Sequence, residues 1–122
     1  TELQLPDRIE AEVDIQKDWQ IFQGHFPEQP ILPGIYIMES MAQTADILLL
    51  LSEQNRGKLP LFFQVSQMRF YHPVCPGARL YLSAQLILDA GNGMYDCRVT
   101  AKTDVGRAAV GVITLAMKAK SE

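Results

Sequence analysis

The stretch "PGIYIMESMAQTADILLLLS", Pro33 to Ser52, holds the one long helical pattern in a chain otherwise made of strand-like segments. No proline follows Pro33 within it, and Ile35, Met38, Met41, Ala42, Ala45, Leu48, Leu49 and Ser52 recur at steps of three and four, the spacing of one helix face. Apolar residues also fall outside that stripe, which predicts a helix from Gly34 to about Ser52 that is buried on most sides. "NRGKLP", Asn55 to Pro60, stops it with a glycine and a proline.

Strands flank this helix on both sides. "RIEAEVDI", Arg8 to Ile15, alternates strictly between apolar and charged residues, as a half-buried strand does. After the helix come "LFFQVSQMRFY", "RLYLSAQLILD", "MYDCRVTAKTD" and "RAAVGVITLAMKAK", long segments rich in β-branched and aromatic residues. They are divided by "HPVCPGA", "AGNG" and "DVG", and the last two breaks are short enough for hairpins. No crossover helices are available to support a parallel sheet. The pattern therefore predicts an α+β fold, one antiparallel sheet wrapped round one long central helix, as a single domain over residues 1–122. Trp19, Phe62, Phe63 and Phe70 are assigned to its core.

Composition narrows the function. Of 122 residues, 48% are apolar and 20% charged, which suits a packed domain rather than a disordered chain. A net charge of −3 offers no basic face for nucleic acid. The most apolar window, "ILLLL", is far shorter than the roughly 20 residues a bilayer demands. "TELQLPDRIE" has no basic segment leading into an apolar run, so a cytoplasmic protein is expected, with Cys75 and Cys97 as free thiols. His72 and Cys75 have the gap of half a metal site, but no second pair lies near them in sequence, and no metal or cofactor is expected.

One constellation carries chemistry. In "GHFPEQPILPG", Gly24 to Gly34, prolines stiffen a loop around His25, whose imidazole can hold a proton near neutral pH. Glu39 then falls inside the helix among Met38, Ser40 and Met41, with Gln43 one turn on along the same face. A carboxyl in apolar company is pushed toward its neutral form, which suits a general acid. Gly34 opens the helix, where first-turn amides lack intrahelical acceptors and the dipole favours negative charge. Base, acid and oxyanion donors together are the parts needed to abstract a proton beside a carbonyl. Each also has a plain reading: a solvated histidine, a snorkelling glutamate, an ordinary Pro-Gly helix start. Asp46, seven residues past Glu39, is either a second polar group on that face or part of a solvated side.

"GHFPEQPILPGIYIMESMAQ", Gly24 to Gln43, closely resembles the signature of the (3R)-hydroxyacyl-acyl carrier protein dehydratases, which have the hot-dog fold. That family sets glutamate fourteen residues after the histidine of a His-Phe-Pro loop, as His25 and Glu39 are set here, and "RFYHPVCPG", Arg69 to Gly77, resembles its second motif. The resemblance implies that His25 removes the C2 proton of a 3-hydroxyacyl thioester and that Glu39 protonates the departing hydroxyl. It implies that Gly34 N–H holds the thioester oxygen, that Gln43 orients Glu39, and that Phe26 and Pro33 belong to the substrate site. It further implies a homodimer whose sites are shared between subunits, with room for higher assembly, and an acyl carrier protein or CoA thioester as the substrate's carrier. Arg69 and Arg79 are the candidates for contacting carrier or CoA phosphates. Glutamate rather than aspartate at position 39 points to the dehydratase-only branch.

Four positions depart from the family pattern. Gln64 replaces glycine, Asp46 a very small residue, Tyr71-His72 two basic residues and Ala78 an aspartate. The first two would narrow or polarise the acyl tunnel, and a specialised polyene, polyketide or other lipid pathway fits as well as primary fatty acid synthesis. Two other functions use the same residues: a hot-dog thioesterase in which Glu39 activates water, and a non-catalytic acyl-binding subunit.

Overall fold

The structure, a computed structural model, describes residues 8–16, 32 and 34–119. Strand β1 (Arg8–Asp14) comes first, then helix α1 (Gly34–Leu50), a single 3-10 turn (Glu53–Asn55), and strands β2 (Lys58–Phe70), β3 (Arg79–Asp89), β4 (Met94–Thr103) and β5 (Gly106–Ala119). All neighbouring strands are antiparallel, in the order β1-β3-β4-β5-β2, so β1 and β2 form the two edges. The predicted hairpins close β3 onto β4 and β4 onto β5.

Alternation in the strands aims one side chain in two at α1. From β3 these are Leu80, Leu82 and Ala84; from β4, Tyr95, Cys97, Val99 and Ala101; from β5, Ile113, Leu115 and Met117. Against them α1 buries Ile37, Met41, Ala42, Thr44, Ala45, Leu48 and Leu49. This is the sheet wrapped round a helix that the sequence predicts, the hot-dog architecture. The helix end is fixed by a buried side chain: Asn55 Nδ2 donates to the Leu49 carbonyl at 3.0 Å, satisfying one of the terminal acceptors.

The sequence reading is corrected in two places. The helix is not buried on most sides, because Ile35, Tyr36, Glu39, Gln43, Ile47 and Leu50 form an exposed stripe along it. Phe62, Phe63 and Phe70 are not core residues of this chain: they are 47%, 62% and 52% exposed. They sit on edge strand β2, which has β5 on one side and no described strand on the other. Trp19 lies outside the described residues.

A bulge in β2 decides what reaches the helix start. Ser66 pairs with Val112 and Arg69 with Val110, so β2 carries one extra residue there, with Gln67 at φ 55°. Because strand side chains alternate, that extra residue puts Met68 and Phe70 on the helix side of the sheet, where regular pairing would turn them outward. Met68 crosses directly over Gly111 of β5. A Cβ at Gly111 would lie 2.5 Å from Met68 Cε and 3.1 Å from its Cα, so a side chain there would displace the Met68 thioether and press on the β2 backbone.

Candidate active site

Phe70 ends β2 against the first residue of α1: its ring carbons lie 3.2 Å from where a Cβ on Gly34 would be. An aromatic face thus borders the free amides of the helix start, and glycine permits the approach. Glu39 and Gln43 follow along the exposed stripe of α1. Gln43 Nε2 donates to Glu39 Oε2 at 3.0 Å, fixing one carboxyl oxygen, while the other has no hydrogen-bond partner among the described residues.

Glu39 is therefore exposed on this chain rather than sunk among the methionines beside it in sequence. The burial expected of it falls on Asp46, two turns further along. Asp46 is half-buried, and its carboxyl is raised from 3.8 to about 6, first by burial and then by the nearby charge of Glu39. Its Oδ1 is enclosed without a hydrogen-bond partner among the described residues. Across from it, burial, helped by the charges of Asp96 and Asp46, pushes the Cys97 thiol up to about 12.

The second motif has a structural task that the sequence reading missed. Val74 is fully buried, and its carbonyl accepts from Leu32 N–H at 2.7 Å. Gly77 N–H donates to the Ile15 carbonyl at 2.6 Å, and Ile15 N–H to the Ala78 carbonyl at 2.9 Å. The turn "HPVCPGA" thereby holds the chain at both flanks of the segment that carries the histidine. His25, Phe26 and Pro33 lie outside the described residues.

Arg79 does not present a free cation. Its Nε donates to Asp14 Oδ1 at 2.8 Å and its Nη1 to Glu12 Oε1 at 3.4 Å, since the β1–β3 register sets Asp14 opposite Arg79. Arg69 is exposed on β2, and Arg107 is stacked over the Tyr71 ring at 5.4 Å. Tyr71 N–H also donates to the carbonyl of Ala108, the residue after Arg107, at 2.8 Å. An open depression of about 1010 Å³ lies elsewhere, on β1, β3 and β4, lined by Arg8, Glu12, Tyr81, Lys102 and Asp104, and touches neither Glu39 nor Gln43.

Among the described residues no three His, Cys, Asp or Glu side chains gather as a metal site. No described helix is long and apolar enough to cross a membrane. Cys75 is exposed and Cys97 buried, both as free thiols.

A family model described as ApeI dehydratase, of the ApeI-like group, matches residues 2–108. The chain belongs to the ApeI-like dehydratase family. It is 38% identical over 116 residues to the 3-hydroxyacyl-acyl-carrier-protein dehydratase FabZ of Ruminiclostridium cellulolyticum, an alignment spanning 95% of this chain and 81% of that one. Its structure superposes on the dehydratase heterocomplex ApeI:P of Xenorhabdus doucetiae with a TM-score of 0.67 at 25% identity, covering 90% and 88% of the two chains. A thioesterase superfamily member from Thermus thermophilus also superposes, with a TM-score of 0.75 at 20% identity over 96% of this chain and 86% of that one, a likeness of fold alone. As an ApeI-like dehydratase the chain is a lyase.

Proposed function

We propose that this dehydratase converts (3R)-3-hydroxyacyl thioesters, on acyl carrier protein or CoA, to trans-2-enoyl thioesters in fatty acid or polyketide-related synthesis. The observation that carries the reading is the order of groups along α1: helix-start amide at Gly34, then Glu39 one turn and a half inside, held by Gln43. His25 takes the C2 proton, the C2–H electrons form the C2=C3 bond, and the C3–O bond breaks as Glu39 protonates the hydroxyl, which leaves as water. Gly34 N–H, a donor whose position is already fixed, donates a hydrogen bond to the thioester oxygen and stabilises the negative charge that develops there. Gln43 keeps the Glu39 carboxyl turned toward the leaving group.

The working unit is a homodimer. Ile35, Ile47 and Leu50 on α1, with Leu59, Leu61 and Phe63 on β2, leave apolar surface exposed on both sides of Glu39 and along an edge that no described strand pairs. A second copy would cover that surface, pair the open edge of β2, and enclose Glu39 in water-poor surroundings. Arg69 serves as the contact for carrier or CoA phosphates; Arg79, committed to Asp14 and Glu12, is not retained in that role.

The test is to incubate the protein with a panel of 3-hydroxyacyl thioesters on both CoA and carrier protein, following conjugated enoyl absorbance and free thiol in parallel. Enoyl product without thiol release supports dehydration. Thiol release without enoyl product would replace it with thioester hydrolysis.

A further inference from the structure

The dehydratase reading fixes a direction along α1. With the thioester oxygen at Gly34 and the C3 hydroxyl at Glu39, the substrate runs from the helix start inward, and the carbons beyond C3 continue past Gln43. Seven residues after Glu39, about 10 Å along the axis, that path meets Asp46.

Asp46 sits on the border between the two faces of the helix. Ala42, Ala45 and Leu49 beside it are buried, whereas Gln43, Ile47 and Leu50 are exposed. Its Oδ1 is closed in without a donor among the described residues, an uncommon state for a carboxyl oxygen, since buried acceptors are normally satisfied. Among the described residues, the ionisable groups whose charge couples to it are Glu39 on its own helix and Cys97 on β4, neither of which neutralises it.

We propose that Asp46 is a specificity-determining residue that bars long saturated acyl chains from this site. The proposal rests on the dehydratase reading above. A methylene chain laid against the carboxyl removes its remaining water and supplies no hydrogen bond in return, so each such complex carries the penalty of an unsatisfied polar group. Short acyl groups end before reaching Asp46 and escape that penalty. A chain with a hydrogen-bond donor at that depth would satisfy the carboxyl's other oxygen, Oδ2, and be accepted.

The experiment compares kcat/KM for 3-hydroxybutyryl, 3-hydroxyoctanoyl and 3-hydroxydodecanoyl thioesters in the wild type, Asp46→Ala and Asp46→Asn. Asp46→Ala is expected to raise the dodecanoyl-to-butyryl ratio at least ten-fold over wild type. Asp46→Asn, which keeps the size but removes the charge, is expected to raise it less, and it carries the test alone if the alanine variant fails to fold. An unchanged ratio would overturn the proposal, and wild-type turnover of the butyryl substrate in that case would leave the dehydratase reading intact. Enoyl product from none of the three substrates in the wild type would overturn both.

Discussion

Replacing Asp46 by asparagine should stabilise the protein at neutral pH and not in acid. The folded chain holds the Asp46 proton up to about 6, whereas the unfolded chain releases it near 3.8. Between those values the folded state binds more protons than the unfolded one, so stability falls as pH rises through this window and stays lowered above it. The full gap corresponds to about 3 kcal/mol. Because the carboxyl is only half-buried, solvent screens much of that, and about 1 kcal/mol is the expected cost above pH 7. Asparagine has the same shape and keeps an oxygen in the same place, so the comparison isolates the charge. Urea unfolding at matched protomer concentration, at pH 4, 5, 6 and 7.5, should show the variant about 1 kcal/mol more stable at pH 7.5 and equal to wild type near pH 4. A difference that does not change with pH, or a wild type that gains on the variant as pH rises, would refute the claim that Asp46 is a buried charge in the native protein.

Three further outcomes follow from the geometry. A thiol reagent at pH 8 should label Cys75 in the native protein and both cysteines after denaturation, because burial keeps Cys97 protonated up to about 12; fast native labelling at Cys97 would contradict its packing. Asn55→Ala should cost on the order of 1 kcal/mol, since the Leu49 carbonyl loses the shorter of its two hydrogen bonds at the end of α1 and keeps only Ser52 N–H at 3.3 Å, and an unchanged urea midpoint would show that the cap is dispensable. Arg69→Glu should raise KM for carrier-linked substrate in a salt-dependent way while Arg79→Ala leaves KM alone, and the reverse pattern would restore Arg79 as the anion contact.

The fold was legible in the sequence because two periods differ so plainly: strict alternation in "RIEAEVDI" with partial alternation in the β-branched and aromatic segments after Pro60, and three-and-four spacing between Gly34 and Ser52. The order of Gly34, Glu39 and Gln43 on one helix could be read for the same reason. Hydrophobicity alone, however, does not distinguish a core from a surface that another chain would cover, which is why the sequence predicts an interior place for Phe62, Phe63 and Phe70 and a buried Glu39. The β2 bulge was invisible because Gln67 carries no mark of a left-handed backbone; glycine would have signalled it. Gly111, in "AVGVI", was the available hint that another strand passes close by. The pairing of Arg79 could not be read from the sequence because its partners, Glu12 and Asp14, stand some 65 residues away and meet it only through strand pairing.

The central claim is that His25 and Glu39 serve one reaction centre built from two chains, and subunit mixing tests it most directly. Neither His25→Ala nor Glu39→Gln alone should retain more than about one-hundredth of wild-type dehydration. Unfolded together in equal amounts and refolded, half of the dimers should be mixed, each with one doubly altered site and one intact site. The account predicts recovery of roughly a quarter of wild-type activity, with exchange confirmed by mass. Confirmed exchange with no recovered activity would contradict it.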